Sequence, residues 1–255
     1  MTPLATVNGE PIDVATALRH SLFQNESFLK DAITGEVLRQ YAAKAGISNT
    51  DAELQLAVDE VRYSRGLESA DAAHQWLREN HLSVLSLQSA IDLMLLRNKV
   101  RGAISEAEVQ AHYAEHKLEY EAVDLYSIRV DSQSKAAELH SQITDEGANF
   151  HALAMEHSQD EETRHLGGYA GRLTRGAMAA EVEAAVFASR PPDLIGPVKT
   201  EKGWNLFKVA RIHKPTVAEM EGLIRLDLMQ QLIDRLIGEA AISYPVLQEA
   251  TDATA

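Results

Sequence analysis

Cysteine is absent from the chain, so the reactive side chains are ten histidines, 38 acidic residues and a scatter of hydroxyls. That absence excludes a disulfide framework, a thiol nucleophile and a Cys-ligated zinc. His112-Tyr-Ala-Glu-His116 places two imidazoles four residues apart, the spacing zinc sites use on one helix face. The order is not the His-Glu-x-x-His of a metalloprotease and no third ligand accompanies it, so the pair reads as a solvated helix face. His140, His151, His157 and His165 crowd one stretch at intervals that match no ligand motif, and read as surface histidines. No serine sits in a Gly-x-Ser-x-Gly elbow, and no Gly-x-x-x-x-Gly-Lys-Ser/Thr loop is present. Gly167-Gly-Tyr-Ala-Gly171 is no dinucleotide fingerprint, since no strand feeds it and no long helix follows. Hydrolase and nucleotide chemistry fall away, and no metal or cofactor is expected.

Composition narrows the partners. The 24 basic residues against 38 acidic ones leave a net charge of −14, which argues against nucleic acid because phosphate binding needs a basic face. A length of 255 residues at 45% hydrophobic suits one large domain or two ordinary ones. Residues 1–12 have neither the basic nor the apolar region of a secretory signal, and the most apolar stretch, 91–100, is broken by charges. No membrane span is expected, and a cytoplasmic location.

Residues 10–118 read almost wholly as helix. Val14, Ala17, Leu18 and Leu22 keep helical spacing, as do Ile33, Val37 and Tyr41. Thr50-Asp-Ala-Glu53 and Ser105-Glu-Ala-Glu108 are capping boxes, and Gly46 and Gly66 are stops. The pattern changes at Tyr120. Residues 122–130 alternate as a strand, 135–143 and 149–157 read as helices, and the glycines from 167 to 176 as a loop zone. A short helix over 181–188 precedes strands over 194–199 and 205–211, joined by a turn at Lys202-Gly203. A third capping box, Thr216-Val-Ala-Glu219, opens a helix whose stripe runs Val217, Met220, Ile224, Leu228, Leu232 and Leu236. So narrow a stripe needs a partner surface, and the N-terminal helices are the nearest one. The small, polar tail from Gln248 is expected to fray. No internal repeat is visible.

The ordered run from 157 to 209 carries the functional signal. It contains His157-Ser-Gln-Asp160, Gly167-Gly-Tyr-Ala-Gly-Arg-Leu173, Arg175-Gly-Ala-Met178, Glu181-Val-Glu-Ala-Ala-Val-Phe-Ala188, Gly196-Pro-Val-Lys-Thr200 and Gly203-Trp-Asn-Leu-Phe-Lys-Val209. Six pieces in this order resemble the parvulin family of peptidyl-prolyl cis–trans isomerases. Ala5-Thr-Val-Asn-Gly-Glu-Pro-Ile12 and the stretch 105–117 are similar to the opening and the pre-isomerase helix of SurA- and PrsA-type foldases.

The resemblance implies an α+β fold. A mostly helical N-terminal bundle (1–118) would precede a parvulin-like domain on a small antiparallel sheet (119–213). A C-terminal helix (214–255) would return to the bundle. It implies an isomerase acting on X-Pro bonds of unfolded or precursor polypeptides, with the helices binding clients and offering a route to a homodimer. By position in the motifs, Met178, Val182, Phe187, Leu173 and Ala170 would hold the proline ring, and Asp160 and Thr200 would line the site. The family's two floor histidines are Ser127 and Asn205 here, so a Ser–Asn pair would have to order the floor. That substitution keeps a second reading open: a parvulin-fold chaperone or escort with impaired catalysis. The loop 131–135 carries one lysine and Asp160-Glu-Glu162 adds acid, so no preference for phosphorylated or acidic residues before proline is expected. Arg172 and Arg175 are the counterweight.

Overall fold

A computed structural model describes residues 3–25 and 27–248 of the chain. They form an α+β protein that divides into two compact units, the described residues up to 106 with those from 223 onward, and 107–222. Apart from Gln248, the tail expected to fray lies outside the described residues.

The first unit opens on a feature the helical reading passed over. Strands β1 (Ala5–Val7) and β2 (Glu10–Ile12) pair antiparallel across the turn Asn8-Gly9. Both turn residues have positive φ, 54° and 88°, which the tight two-residue hairpin requires and Asn-Gly supplies at least cost. Helices α1 (Val14–Gln24), α2 (Ser27–Lys44), α3 (Asp51–Ser64), α4 (Ala70–Glu79) and α5 (Val84–Gly102) follow. The Thr50 box forms at both ends: Glu53 N–H donates to the Thr50 hydroxyl and Thr50 N–H to the Glu53 carboxylate, 3.3 and 2.7 Å. Lys99 of α5 donates to the same carboxylate at 2.6 Å, and that bond first, then those from the Thr50 N–H and hydroxyl, hold Glu53 down to a pKa of about 2.

The chain continues through α6 (Glu106–His116), β3 (Ala122–Val130), α7 (Gln133–Thr144), α8 (Phe150–His157) and α9 (Glu161–Arg164). Then come β4 (Tyr169–Thr174), α10 (Ala180–Ala188), β5 (Asp193–Thr200), β6 (Gly203–His213), α11 (Val217–Glu239) and α12 (Pro245–Gln248). From residue 223 onward α11 belongs to the helical unit. Its Met229 and Ile233 pack with Leu38 and Ala42 of α2 and Leu96 and Val100 of α5. The C-terminal helix thus returns to the bundle, with its buried centre at Ile224, Met229 and Ile233 and with Leu232 and Leu236 at the flank. Among the described residues no helix is long and apolar enough to cross a membrane.

The second unit is built on a four-stranded antiparallel sheet in the order β4-β3-β6-β5. Strand periodicity sends alternate residues to two cores. Ile128, Val130 and Leu206 meet Ala136 and Leu139 of α7 and Phe150 and Ala154 of α8 on one face. Val123, Leu125, Phe207 and Val209 meet Val182 and Val186 of α10 on the other. The expected loop zone 167–176 contains β4. Its glycines hid it, yet pairing with β3 makes it an edge strand, since cross-strand context outweighs weak local propensity. The expected boundaries at 118 and 213 differ from the divisions at 106/107 and 222/223. Tyr113 of α6 donates its hydroxyl to the Pro215 carbonyl at 2.6 Å and stacks on Tyr120, which ties both flanking segments to the sheet unit.

Candidate active site

On the α10 face of the sheet lies a cleft of about 660 Å³. Strand β3 contributes Leu125 and Ser127, β4 contributes Ala170 and Leu173, and β6 contributes Phe207. Met178 and Ala179 come from the loop after β4, and Glu181 and Val182 from α10. Lys199, Thr200, Glu201 and Lys202 come from the β5–β6 corner. Two irregularities shape it. Ala170 is the extra residue where the β3–β4 register slips between Leu125 and Tyr126, so the bulge aims it at the cleft. Gly168, at φ 88°, brings its carbonyl to 2.8 Å from Ser127 N–H, and a Cβ there would lie 2.6 Å from the Ser127 carbonyl.

The floor is polar and carries no titratable group. Asn205 is buried and donates its amide to the Thr200 hydroxyl at 2.8 Å and to the Gly203 carbonyl at 3.2 Å. Thr200 in turn donates to that carbonyl at 3.2 Å. With its proton used there and one lone pair on Asn205, Thr200 presents an acceptor to the cleft. The Ser127 side chain lines the cleft, and its hydroxyl makes no hydrogen bond among the described residues. Of the floor expected from Ser127, Asp160, Thr200 and Asn205, Thr200 and Asn205 are hydrogen-bonded to each other and the Ser127 hydroxyl stands free beside them.

Ser127, Thr200, Ala170, Leu173, Met178 and Val182 thus line one cleft, with Asn205 directly behind Thr200. Asp160 and Phe187 do not line it. Asp160 caps α9, accepting from Glu162 N–H at 3.3 Å, and stands 3.7 Å from Arg129 in a neighbouring polar depression. Phe187 packs at the edge of the core beneath the Arg175 guanidinium, 4.1 Å from its ring centroid. The aromatic wall is Phe207, which the sequence reading missed. Its signal was present, because Asn205 and Phe207 are two apart on one strand and so share a face.

Arg172 and Arg175 are both occupied away from the cleft. Arg172 donates to Asp124 at 3.0 Å, and His213 meets the other oxygen of that carboxylate at 2.7 Å. The Arg172 bond, then the His213 bond, hold the Asp124 carboxyl below its usual range. His151 is half-buried rather than a surface histidine. It contacts the Gly167 carbonyl at 3.1 Å and Lys208 at 3.3 Å, and packs edge-on against Tyr126. The rings of His112 and His116 lie 4.4 Å apart, and His116 is 2.9 Å from Glu119. No group of three or more metal-ligating side chains occurs among the described residues.

An antiparallel sheet backed by helices, with an apolar cleft over a polar floor, is the arrangement the parvulin resemblance implies, here with hydroxyl and amide in place of the two histidines. Residues 126–211 match the Rotamase family, described as a PPIC-type PPIASE domain. Over a longer span the chain is similar to the foldase protein PrsA of Caldanaerobacter subterraneus subsp. tengcongensis. The two are 28% identical over 217 residues, covering 85% of this chain and 67% of the relative. It is also similar to the foldase protein PrsA of Geobacillus kaustophilus, at 26% identity over 235 residues, covering 86% and 80%. The crystal structure of the peptidylprolyl isomerase PrsA from Bacillus cereus aligns with a TM-score of 0.49 at 20% identity, covering 99% of this chain and 98% of that one. Residues 126–211 thus match a peptidyl-prolyl isomerase domain, in a chain that is similar to PrsA foldases along most of its length.

Proposed function

We propose that the cleft isomerises X-Pro bonds of unfolded or precursor polypeptides by binding the twisted imide. The uncatalysed barrier is ~18–20 kcal/mol and arises from amide resonance, so the reaction needs no nucleophile and no cofactor. Leu125, Leu173, Met178, Val182 and Phe207 offer the proline ring an apolar seat that displaces water when the ring is bound, which favours the twisted state over the planar one. The free Ser127 hydroxyl donates to a substrate carbonyl, and Thr200, held by Asn205, accepts. The observation that carries this reading is the convergence of those apolar walls on two hydroxyls at one cleft. A protease-coupled assay on an Ala-Xaa-Pro-Phe peptide tests it. Catalysed exchange that is lost in Phe207→Ala supports it, and a background rate at saturating protein rejects it.

A second reading keeps the cleft as a holding site only, and the absence of an imidazole from the floor favours it. The helical unit would hold clients in either case. Its groove of about 520 Å³, lined mainly by Leu22, Leu29, Ile33, Ile237, Ile242 and Leu247, supports that role, as does Phe23, which is 89% exposed. The same apolar helices would serve a homodimer, which sedimentation over a concentration series decides.

A further inference from the structure

The side chain of Met178 packs, partly buried, against the core that holds Val182 and Phe207. It sits on the loop between β4 and α10, and Ala179, the N-cap of α10, makes no side-chain capping bond. A helix start without such a bond leaves its first N–H groups to other partners. What spans the loop is one guanidinium. Arg175 donates to the Glu121 carboxylate at 2.8 and 3.1 Å and to Glu183 of α10 at 3.4 Å. The other oxygen of Glu183 accepts from Gly176 N–H at 2.7 Å, folding the loop back on the helix. The face of the guanidinium covers Phe187 on the same helix. Glu121 and Arg175 are mostly enclosed, with 12% and 26% of their side chains exposed, so water screens the pair less than an open surface pair.

Resting on the isomerase reading above, we infer that Arg175 is a positioning residue that sets the width of the proline seat by fixing Met178, without touching substrate itself. The fork and the stacking are both needed. A lysine keeps the charge but can neither fork onto Glu121 through two nitrogens nor lie flat on Phe187. Arg175→Lys should therefore loosen the seat while the floor of Ser127, Thr200 and Asn205 stays intact. Loss of binding shared by ground and transition states raises KM and leaves kcat, whereas a merely destabilised fold lowers the active fraction and so kcat.

The experiment uses the full chain and four variants: Arg175→Lys, Glu183→Gln, Met178→Ala and the Arg175→Lys/Met178→Ala pair. Arg175→Lys should raise KM for a proline peptide by about fivefold with kcat within about twofold. On the Met178→Ala background the same change should cost less than about twofold, because the wall it positions is already gone. Multiplying losses, or a fall in kcat alone, would overturn the inference. Methyl NMR of Met178, assigned through Met178→Ala, separates this inference from the isomerase reading. If the native chain neither turns over nor binds the peptide, the isomerase reading fails. The positioning role is then decided by the methyl: a Met178 signal unmoved in Arg175→Lys overturns it. Should Arg175→Lys fail to fold, Glu183→Gln decides in its place, since it weakens the clamp while leaving Arg175 on Glu121. It should shift the Met178 methyl and raise KM in the same sense, and an unmoved methyl refutes the clamp.

Discussion

Replacing Asn205 by alanine removes both amide bonds that hold the floor, to the Thr200 hydroxyl at 2.8 Å and the Gly203 carbonyl at 3.2 Å. Each such bond contributes a net ~0.5–1.5 kcal/mol, so the folded state should lose about 1–3 kcal/mol in urea denaturation. The effect on turnover has a separate origin. Thr200 keeps its bond to the Gly203 carbonyl but loses the donor that fixes its lone pairs, so its acceptor no longer points into the cleft. We expect kcat/KM in a proline-peptide assay to fall about tenfold, equivalent to about 1.4 kcal/mol of transition-state binding. Thr200→Val should lose as much. The double variant should lose little more than either alone, because both changes disable one acceptor. An Asn205→Ala protein with lowered stability and native kcat/KM would show that the amide serves the fold and not the reaction.

Three further outcomes follow from the geometry. Gly168→Ala puts a methyl 2.6 Å from the Ser127 carbonyl at φ 88°, so it should destabilise the sheet unit by about 1–3 kcal/mol and weaken peptide binding with it, read by denaturation and titration. Because Asp124 has a lowered folded pKa, its contribution to stability is fully present above the unfolded carboxylate value. It is lost as pH falls through the folded value. Stability should therefore drop below about pH 4, and Asp124→Asn should lower the neutral-pH plateau and flatten that part of the acid limb. On the cleft rim, Glu181 and Glu201 balance Lys199 and Lys202, while Glu161 and Glu162 add acid in the adjoining depression. Glu-Pro and phosphoserine-Pro peptides should not outpace Ala-Pro, and a clear gain for either would show that the lysines dominate.

Legibility in the sequence varied with how local the cause was. The boxes at Thr50 and Thr216 were readable because three residues decide them, and both form. The Asn8-Gly9 hairpin was equally local and lay in plain view, but helical periodicity from residue 14 onward drew the helix start too early. Strand β4 was not readable, since Gly171 lies within it, Gly167, Gly168 and Gly176 flank it, and its pairing with β3 is non-local. The stripe on α11 was legible, whereas the deepest burial of Met229 and Ile233 depends on where α2 and α5 lie. At the site, motif order placed Ser127, Thr200, Met178 and Val182 on one cleft. Motif position does not say which way a side chain turns, and Asp160 and Phe187 both meet ion or cation partners outside that cleft.

The central claim is that a cleft with no histidine on its floor still isomerises proline. Exchange NMR on a labelled Ala-Ala-Pro-Phe peptide, with the full chain at sub-stoichiometric concentration, measures this without a coupling protease. Cis–trans exchange peaks should grow with protein concentration and vanish in Phe207→Ala and in the Ser127→Ala/Thr200→Val pair. Peptide that binds, with shifted proline resonances, yet exchanges only at the uncatalysed rate would contradict that claim and leave the cleft a holding site.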